Sequence, residues 1–274
     1  MQQSIRPPLI LGGTGCVGRA LAALWPAQTP AVWQSRNGQA GTWEWDILHS
    51  PAPALPQTLS GIIALAGVTR GDAADLAANT ALALAACDLA DALGGLPVLL
   101  ASSQAVYGAP AQTVTENSPC APTTPYGHAK RAMEQAVAGR KNVTCLRIGN
   151  VAGCDGLLMH AARMGHVRLD QFPNGQGPTR AYIGPRVLGD VLRGLLAIGA
   201  DLPPVLNIAQ RGQIAMADLL RAADVPWKWA PAGAGALPVL AMNCDALAQL
   251  VSIPPATPAD LIAQARAAGW KVSP

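Results

Sequence analysis

"LILGGTGCVGRAL", residues 9–21, carries three glycines spaced Gly12-x-x-Gly15-x-x-Gly18, between an apolar run and the start of a helical pattern. In that setting each glycine has its own task. Gly12 permits a tight turn, Gly15 lets backbone approach a pyrophosphate, and Gly18 lets the helix pack on the strand. The helix start adds unpaired N–H groups and a positive dipole end that suit phosphate. A glycine triplet alone is weak evidence. With a strand before it and a helix after it, dinucleotide binding is preferred over a merely tight turn. Thr14, Cys16 and Val17 lie in the same loop and join the three glycines as cofactor-binding candidates.

Outward from this loop, short apolar runs alternate with helical stretches. "PLILG" (8–12), "AVWQS" (31–35), "GIIALAG" (61–67), "LPVLLAS" (96–102) and "VTCLRIG" (143–149) read as strands buried on both faces. Helices are expected over 16–25, over 72–93 behind a capping Asp72, and over 125–138 behind Thr124. This alternation predicts an α/β fold, a doubly wound parallel sheet of the Rossmann type. After residue 150 the pattern loosens. "PVLNIA" (204–209) reads as one more strand, and 215–225 and 257–269 as helices. The division expected is a dinucleotide-binding domain over 1–153, with 181–210 returning to it, and a smaller, irregular C-terminal substrate region over 154–180 and 211–274.

Composition narrows the classes. The 274 residues are half hydrophobic, yet the richest stretch, Thr80 to Leu93, is interrupted by Asp88 and Asp91. No run reaches the ~18 apolar residues of a membrane helix. The net charge of +3 is spread along the chain, with no basic block interleaved with aromatics, so neither nucleic acid nor membrane is expected as a partner. Six scattered cysteines without a CxxC pair, and four histidines without metal spacing, argue against a metal site or a disulfide framework. Arg6 followed by "PPLILGG" lacks the long apolar core of a secretion signal, and a cytoplasmic location is expected.

The second strand ends in "QSRN" (34–37). NAD-binding sheets usually place an acid there, to hold the ribose hydroxyls. Here Ser35 and Arg36 take its place, and an Arg can pair with a 2′-phosphate that an acid would repel. NADP is therefore the preferred cofactor, with NAD the alternative. Asp46, in "WEWDIL", and its neighbour Ile47 could meet the adenine edge. The ends of the next two strands bring Leu65, Ala66, Gly67 and Ala101 to the same crevice.

The strand over 96–102 runs into "SSQAVYG" (102–108), which aims Ser103 at the cofactor. In "TTPYGHAKRAME" (123–134), Thr124 is a good N-cap and Pro125 a good first helical residue, so Tyr126 and Lys130 lie one turn apart on one face. Taken alone, Tyr and Lys at that spacing would be packing. The glycine loop and the strand-end serine change the weighing. Moving a hydride to or from a carbon bearing oxygen requires a proton moved on that oxygen. A phenol titrates near pKa ~10, and a neighbouring ammonium and an oxidised nicotinamide would lower it. Ser103 would hold the reacting oxygen, and Lys130 would also hold the nicotinamide ribose.

These residues resemble the extended short-chain dehydrogenase/reductases, the NAD-dependent epimerase/dehydratase family. "GGTGCVG" is similar to that family's cofactor loop and "SSQAVYG" to its serine motif, and Tyr126-x-x-x-Lys130 matches its catalytic pair. The resemblance implies catalytic roles for Ser103, Tyr126 and Lys130. It implies a cofactor-side role for Asn79, and substrate contacts for Asn150 in "RIGNVAG" and for Arg180 in "GPTRAYIG", where the Arg grips a diphosphate. Gln104 is a further substrate-side candidate. The family often dimerises through two helices, here 72–93 and 126–138, so a homodimer is possible. Departures bear on the substrate. Gln104 and Ala105 stand where sugar dehydratases carry Asp and Glu. Cys16 replaces the usual aromatic, and the acidic pair that commonly follows the Arg is missing.

Three functions follow. The first is an NAD(P)-dependent oxidoreductase or epimerase acting at a hydroxyl or keto carbon, with a nucleotide-sugar or related small molecule as substrate. The second is an NADPH-dependent reductase of a small ketone or aldehyde. The third is a non-catalytic NADP-binding sensor, against which the complete Ser–Tyr–Lys set argues.

Overall fold

The computed structural model describes residues 6–39, 41–55 and 58–272, so residues 1–5 of the expected first domain lie outside it. In chain order it begins with β1 (Pro8–Leu11), α1 (Cys16–Leu24), β2 (Val32–Ser35), β3 (Trp43–Glu44), β4 (Gly61–Ala64), α2 (Ala73–Ala92), β5 (Val98–Ser103), α3 (Pro125–Ala136) and β6 (Val143–Ile148). It continues with β7 (Asn150–Val151), α4 (Gly156–Met164), β8 (Val167–Gln171), β9 (Thr179–Arg180), β10 (Tyr182–Ile183), α5 (Pro185–Ile198) and β11 (Val205–Ile208). The last elements are β12 (Ile214–Ala215), α6 (Met216–Ala222), β13 (Trp227–Pro231), β14 (Val239–Leu240), α7 (Asp245–Leu250) and α8 (Pro258–Ala267).

Seven parallel strands form one sheet in the order β11-β6-β5-β4-β1-β2-β3. The chain order reverses between β1 and β4, which opens a crevice at their carboxyl ends. Successive side chains of β1 serve opposite faces. Ile10 packs with Leu21 of α1, Leu188, Leu192 and Leu195 of α5, and Leu247 of α7. Leu9 and Leu11 pack with Ala83, Ala86 and Cys87 of α2 and with Met133 of α3. Residues 244–251 thus sit against the sheet, although the sequence pattern assigned them to the second region. A separate apolar cluster joins α4, β8, α6 and α8 around Tyr182.

Several elements of the second half, α4, β8, β13 and α7 among them, were not expected, and two further differences bear on the fold. The first is α5, which was not expected as a helix. Val187, Leu188, Val191, Leu192, Leu195 and Leu196 give it a continuous buried stripe, but Gly189 and Gly194 dilute the helical signal. A Cβ at Gly194 would come within 2.8 Å of Val251 Cγ1, so that glycine admits the end of α7. The second is α2. Its 20 residues make it long and apolar enough to cross a membrane by length and composition, despite Asp88 and Asp91. In this fold one side of it, through Leu76, Ala83, Cys87 and Ala90, is buried in the protein.

Helix α3 is fixed to the sheet by a buried ion pair. Arg147 of β6 donates from Nε to Glu134 Oε1 at 3.0 Å and from Nη2 to Oε2 at 2.9 Å. Ser102 Oγ donates to the same carboxylate at 2.6 Å, and a further Arg147 N–H reaches Tyr107 Oη at 3.0 Å. Tyr107 in turn donates to Asn207 Oδ1 of β11 at 2.6 Å. Glu134 Oε2 also accepts from the more exposed Arg131 at 3.1 Å, but removing Arg147 takes away the buried carboxylate's bidentate partner. Arg147→Leu is therefore expected to lower unfolding free energy by about 3–5 kcal/mol. The double change Arg147→Leu with Glu134→Leu should cost less than the sum of the single changes. Urea unfolding of the three variants checks this, and additive losses would contradict it.

Candidate active site

The glycine loop closes on itself and on the next strand. Gly12 has a φ of +83°, and a Cβ there would lie 2.6 Å from the Ala66 amide nitrogen, so glycine is required twice over. A Cβ at Gly18 would collide with the Gly12 and Gly13 carbonyls, so Gly18 serves packing and does not face the crevice. Gln34, 4% exposed, accepts from Gly12 N at 2.8 Å and donates to Trp45 O at 2.6 Å. It joins the loop to the segment after β3. Nothing in the sequence marked it, because a buried glutamine in a strand has no pattern of its own.

Two cavities run along the crevice and share Leu65 and Gly67. The first, about 340 Å³, is bordered by Gly12, Thr14 and Gly15, by Arg36, Asp46 and Ile47 on the outer side, and by Leu65, Ala66 and Gly67. The second, about 270 Å³, continues past Val17 and Ala101 to Ser103, Tyr126, Lys130 and Asn150. Together they form a groove from the end of β2 to the start of α3.

Besides Gly18, and Gln104 which lies outside the lining of both cavities, four expected cofactor or substrate residues sit elsewhere. Ser35 turns its hydroxyl to Thr42 Oγ1 at 2.6 Å and accepts from Gln39 N, closing the loop after β2. Asn79 is 1% exposed and gives all its polar atoms to the backbone: Oδ1 accepts from Val68 N, and Nδ2 donates to Val68 O and Leu76 O. It shapes the Gly67–Val68 turn from behind. Cys16 faces away from the groove, into a space shared with Arg19, Gly153, Cys154 and Trp270. Its thiol donates to Gly153 O at 4.0 Å, and the neighbouring Cys154 lowers its pKa from the usual thiol value. Arg180 donates to the carbonyls of Thr179, Leu237 and Pro238 at 2.8, 2.7 and 3.3 Å, tying β9 to the segment before β14. The short β9 places that guanidinium on backbone.

The Ser, Tyr and Lys candidates do come together. Thr124 Oγ1 accepts from Gly127 N at 3.1 Å and caps α3. Gly127 is pressed against Ala105 O, where a Cβ would stand 2.5 Å away, so α3 lies directly on the turn that carries Ser103. The Ser103 side chain adjoins the Tyr126 phenol. Lys130, 4% exposed, points Nζ at Ala101 O at 2.8 Å and lies 5.9 Å from the Tyr126 ring centroid. Burial lowers the ammonium to about 8 and raises the phenol, against the lowering influence of Ser103. The expected lowering of the phenol is thus not a property of these side chains alone.

On the far side, polar contacts join two expected substrate residues, Gln104 and Asn150, to two that the sequence did not mark, Tyr182 and Asp155. Gln104 Nε2 donates to Asn150 Oδ1 at 2.8 Å, Asn150 pairs with Tyr182 between β7 and β10, and Tyr182 Oη donates to Asp155 Oδ1 at 3.2 Å. Asp155 caps α4 through Leu157 N and Leu158 N and borders the second cavity. "CDGLL" does hold a helix-start signal, an Asp just before an apolar run, but it lies in the stretch read as irregular.

Burial raises the Asp155 carboxyl from its ordinary 3.8 to about 6, against the hydrogen bonds from Leu157, Leu158 and Tyr182. The ionisable groups nearest it are Tyr182, Cys154, and Cys16 with Arg19 on α1. The native carboxyl holds its proton to a higher pH than the unfolded one. Stability is then lost as pH rises from about 4 through about 6. Asp155→Asn removes that loss. It is expected to unfold at higher urea than wild type at about pH 7.5, with the gap closing towards about pH 4.5. A gap that persists at acid pH, or a reversed order at neutral pH, would contradict the assignment.

Comparison with known proteins places this geometry. The model of the NAD-dependent epimerase/dehydratase family matches residues 8–168, more than half of the chain. No curated protein is similar enough to count as a relative. Among solved structures, UDP-glucose 4-epimerase from Brucella ovis in complex with NAD is similar at 20% identity and a TM-score of 0.77, covering 98% of this chain and 100% of that one. UDP-glucose 4-epimerase from Bifidobacterium longum in complex with NAD+ and UDP is similar at 17% and 0.76, covering 95% and 97%. WbmG from Bordetella bronchiseptica in complex with NAD and UDP is similar at 18% and 0.74, covering 97% and 95%. At such identities the likeness shows the fold.

Proposed function

The chain belongs to the NAD-dependent epimerase/dehydratase family, a family of enzymes, and from that premise we propose that it transfers a hydride between a nicotinamide dinucleotide and a substrate carbon that bears oxygen. The observation that carries this reading is the meeting of Ser103, Tyr126 and Lys130 in one cavity that continues the glycine-loop groove. The residues fit the dinucleotide. Gly12 lets the loop close on Ala66 and Gly67 lets its turn meet Asn79 Oδ1, contacts a Cβ would not allow, and the start of α1 offers N–H groups to a pyrophosphate.

A bound nicotinamide supplies the hydride acceptor or donor. The protein's own groups handle the proton and the geometry. Tyr126 Oη takes the proton from a substrate hydroxyl, or returns it to the oxygen of a ketone. Ser103 holds that oxygen in line with the phenol. Lys130, anchored on Ala101 O, keeps a positive charge beside the phenolate as it forms, most fully below its pKa of about 8.

For the substrate, a nucleotide-sugar is supported by the UDP in two of the similar structures. A smaller hydroxy-ketone is favoured by two features. Arg180 is engaged by three backbone carbonyls, and the cavity wall carries the carboxylate of Asp155. For the cofactor, exposed Arg36 at the outer end of the groove favours a 2′-phosphate, hence NADP.

Tyr126→Phe is expected to lower the rate of cofactor-linked turnover by about 10²–10⁴-fold, while the Kd for the dinucleotide stays within about twofold. Equal loss of both would remove Tyr126 from proton transfer. Arg36→Ala should weaken NADPH by about tenfold, or ~1.4 kcal/mol, and leave NADH unchanged in a fluorescence titration. An equal effect on both cofactors would assign Arg36 to the adenine, not to a 2′-phosphate.

A further inference from the structure

Among the described residues, two buried side-chain polar atoms have no hydrogen-bond partner: Asp155 Oδ2 and Gln104 Oε1. Both are acceptors, but only Asp155 borders the second cavity. Gln104, 8% exposed, donates to Asn150 from outside the cavity lining, and Asn150 is the strand partner of Tyr182. Tyr182 donates to Asp155, which is 7% exposed and borders the cavity together with Ser103, Tyr126 and Lys130. Asp155 Oδ1 is fully used, by Leu157 N at 3.0 Å, Leu158 N at 3.2 Å and Tyr182 Oη at 3.2 Å. A buried acceptor left unmet is costly, and a charged one more so. The donors around this carboxylate are neutral N–H and O–H groups, with no Lys or Arg among those that stabilise it. An oxygen of this kind calls for a donor from a ligand and repels an anionic group such as phosphate.

We propose, resting on the hydride-transfer reading above, that Asp155 is a substrate-binding residue selecting a compound that carries a hydroxyl or ammonium group near the reacting carbon. Hydroxyl and ammonium offer the same chemistry here, a hydrogen-bond donor. Asp155 also sets polarity along the cavity: proton transfer at Tyr126 on one wall, donor recognition at Asp155 on the other.

The test uses full-length protein loaded with NADPH and labelled with ¹³C at the aspartate carboxyls. The Asp155 signal is identified by its loss in Asp155→Asn. Acetone, hydroxyacetone, aminoacetone and UDP-glucose are titrated in turn. Hydroxyacetone, aminoacetone or UDP-glucose is expected to shift the signal in a saturable way, and acetone is not. A larger effect of aminoacetone assigns an ammonium, and a larger effect of hydroxyacetone or UDP-glucose a hydroxyl. For whichever donor-bearing probe turns over, Asp155→Asn should raise KM at least tenfold with kcat within about threefold. The proposal is overturned if no donor-bearing probe moves the signal, if acetone moves it equally, or if KM in Asp155→Asn stays within twofold. Turnover that survives in Tyr126→Phe would overturn the hydride-transfer reading instead, and the carboxyl shifts report on Asp155 independently of it.

Discussion

The buried pair of Glu134 and Arg147 is the contact on which the candidate active site depends. Helix α3 carries Tyr126 and Lys130 in its first two turns, and it reaches the sheet mostly through small or flexible side chains. Apolar packing by Met133 and Val137 holds it close without fixing its rotation. The bidentate contact to Arg147, shared with Ser102 at the end of β5, fixes that rotation. Ser102 and Ser103 are adjacent, so one strand end is held to α3 by structure on one side and by the candidate chemistry on the other. A buried ion pair is a poor source of net stability but a good source of geometric definition.

The second constraint is the close approach of backbone around the glycine loop. Gly12 lies against Ala66 and Gly18 against the Gly12 carbonyl, so β1, α1 and β4 meet with no room for a methyl group. This approach forms the groove floor and sets its direction. Gln34, on the wall of the first cavity, and Asn79, from behind, then hold the two loops that border it, and the shape of the groove depends on both.

The sequence made much of this legible, for a physical reason. Strands buried on both faces give unbroken apolar runs, and α2 and α3 carry clear caps, so every strand and α-helix up to β6 except the two-residue β3 could be read directly. Tyr126 and Lys130 were legible because helical periodicity alone puts them on one face. What stayed hidden depended on contacts between distant segments. Whether the Arg180 guanidinium faces a ligand or the carbonyls of 237 and 238 is decided 57 residues away in sequence. The turn of Cys16 away from the groove depends on Gly153 and Cys154, and the importance of Asp155 on Tyr182. Helix α5 was obscured by two glycines, one of which is there to receive Val251.

The central claim is that one continuous groove seats a nicotinamide dinucleotide with its reactive end among Ser103, Tyr126 and Lys130. The most direct measurement is a crystal structure of the protein grown with NADP, and in parallel with NAD. The account predicts adenosine density beside Arg36 and Asp46, pyrophosphate density at the start of α1, and nicotinamide density in the cavity lined by Ser103, Tyr126 and Lys130. A dinucleotide bound elsewhere, or one whose nicotinamide end lies outside that cavity, would contradict it.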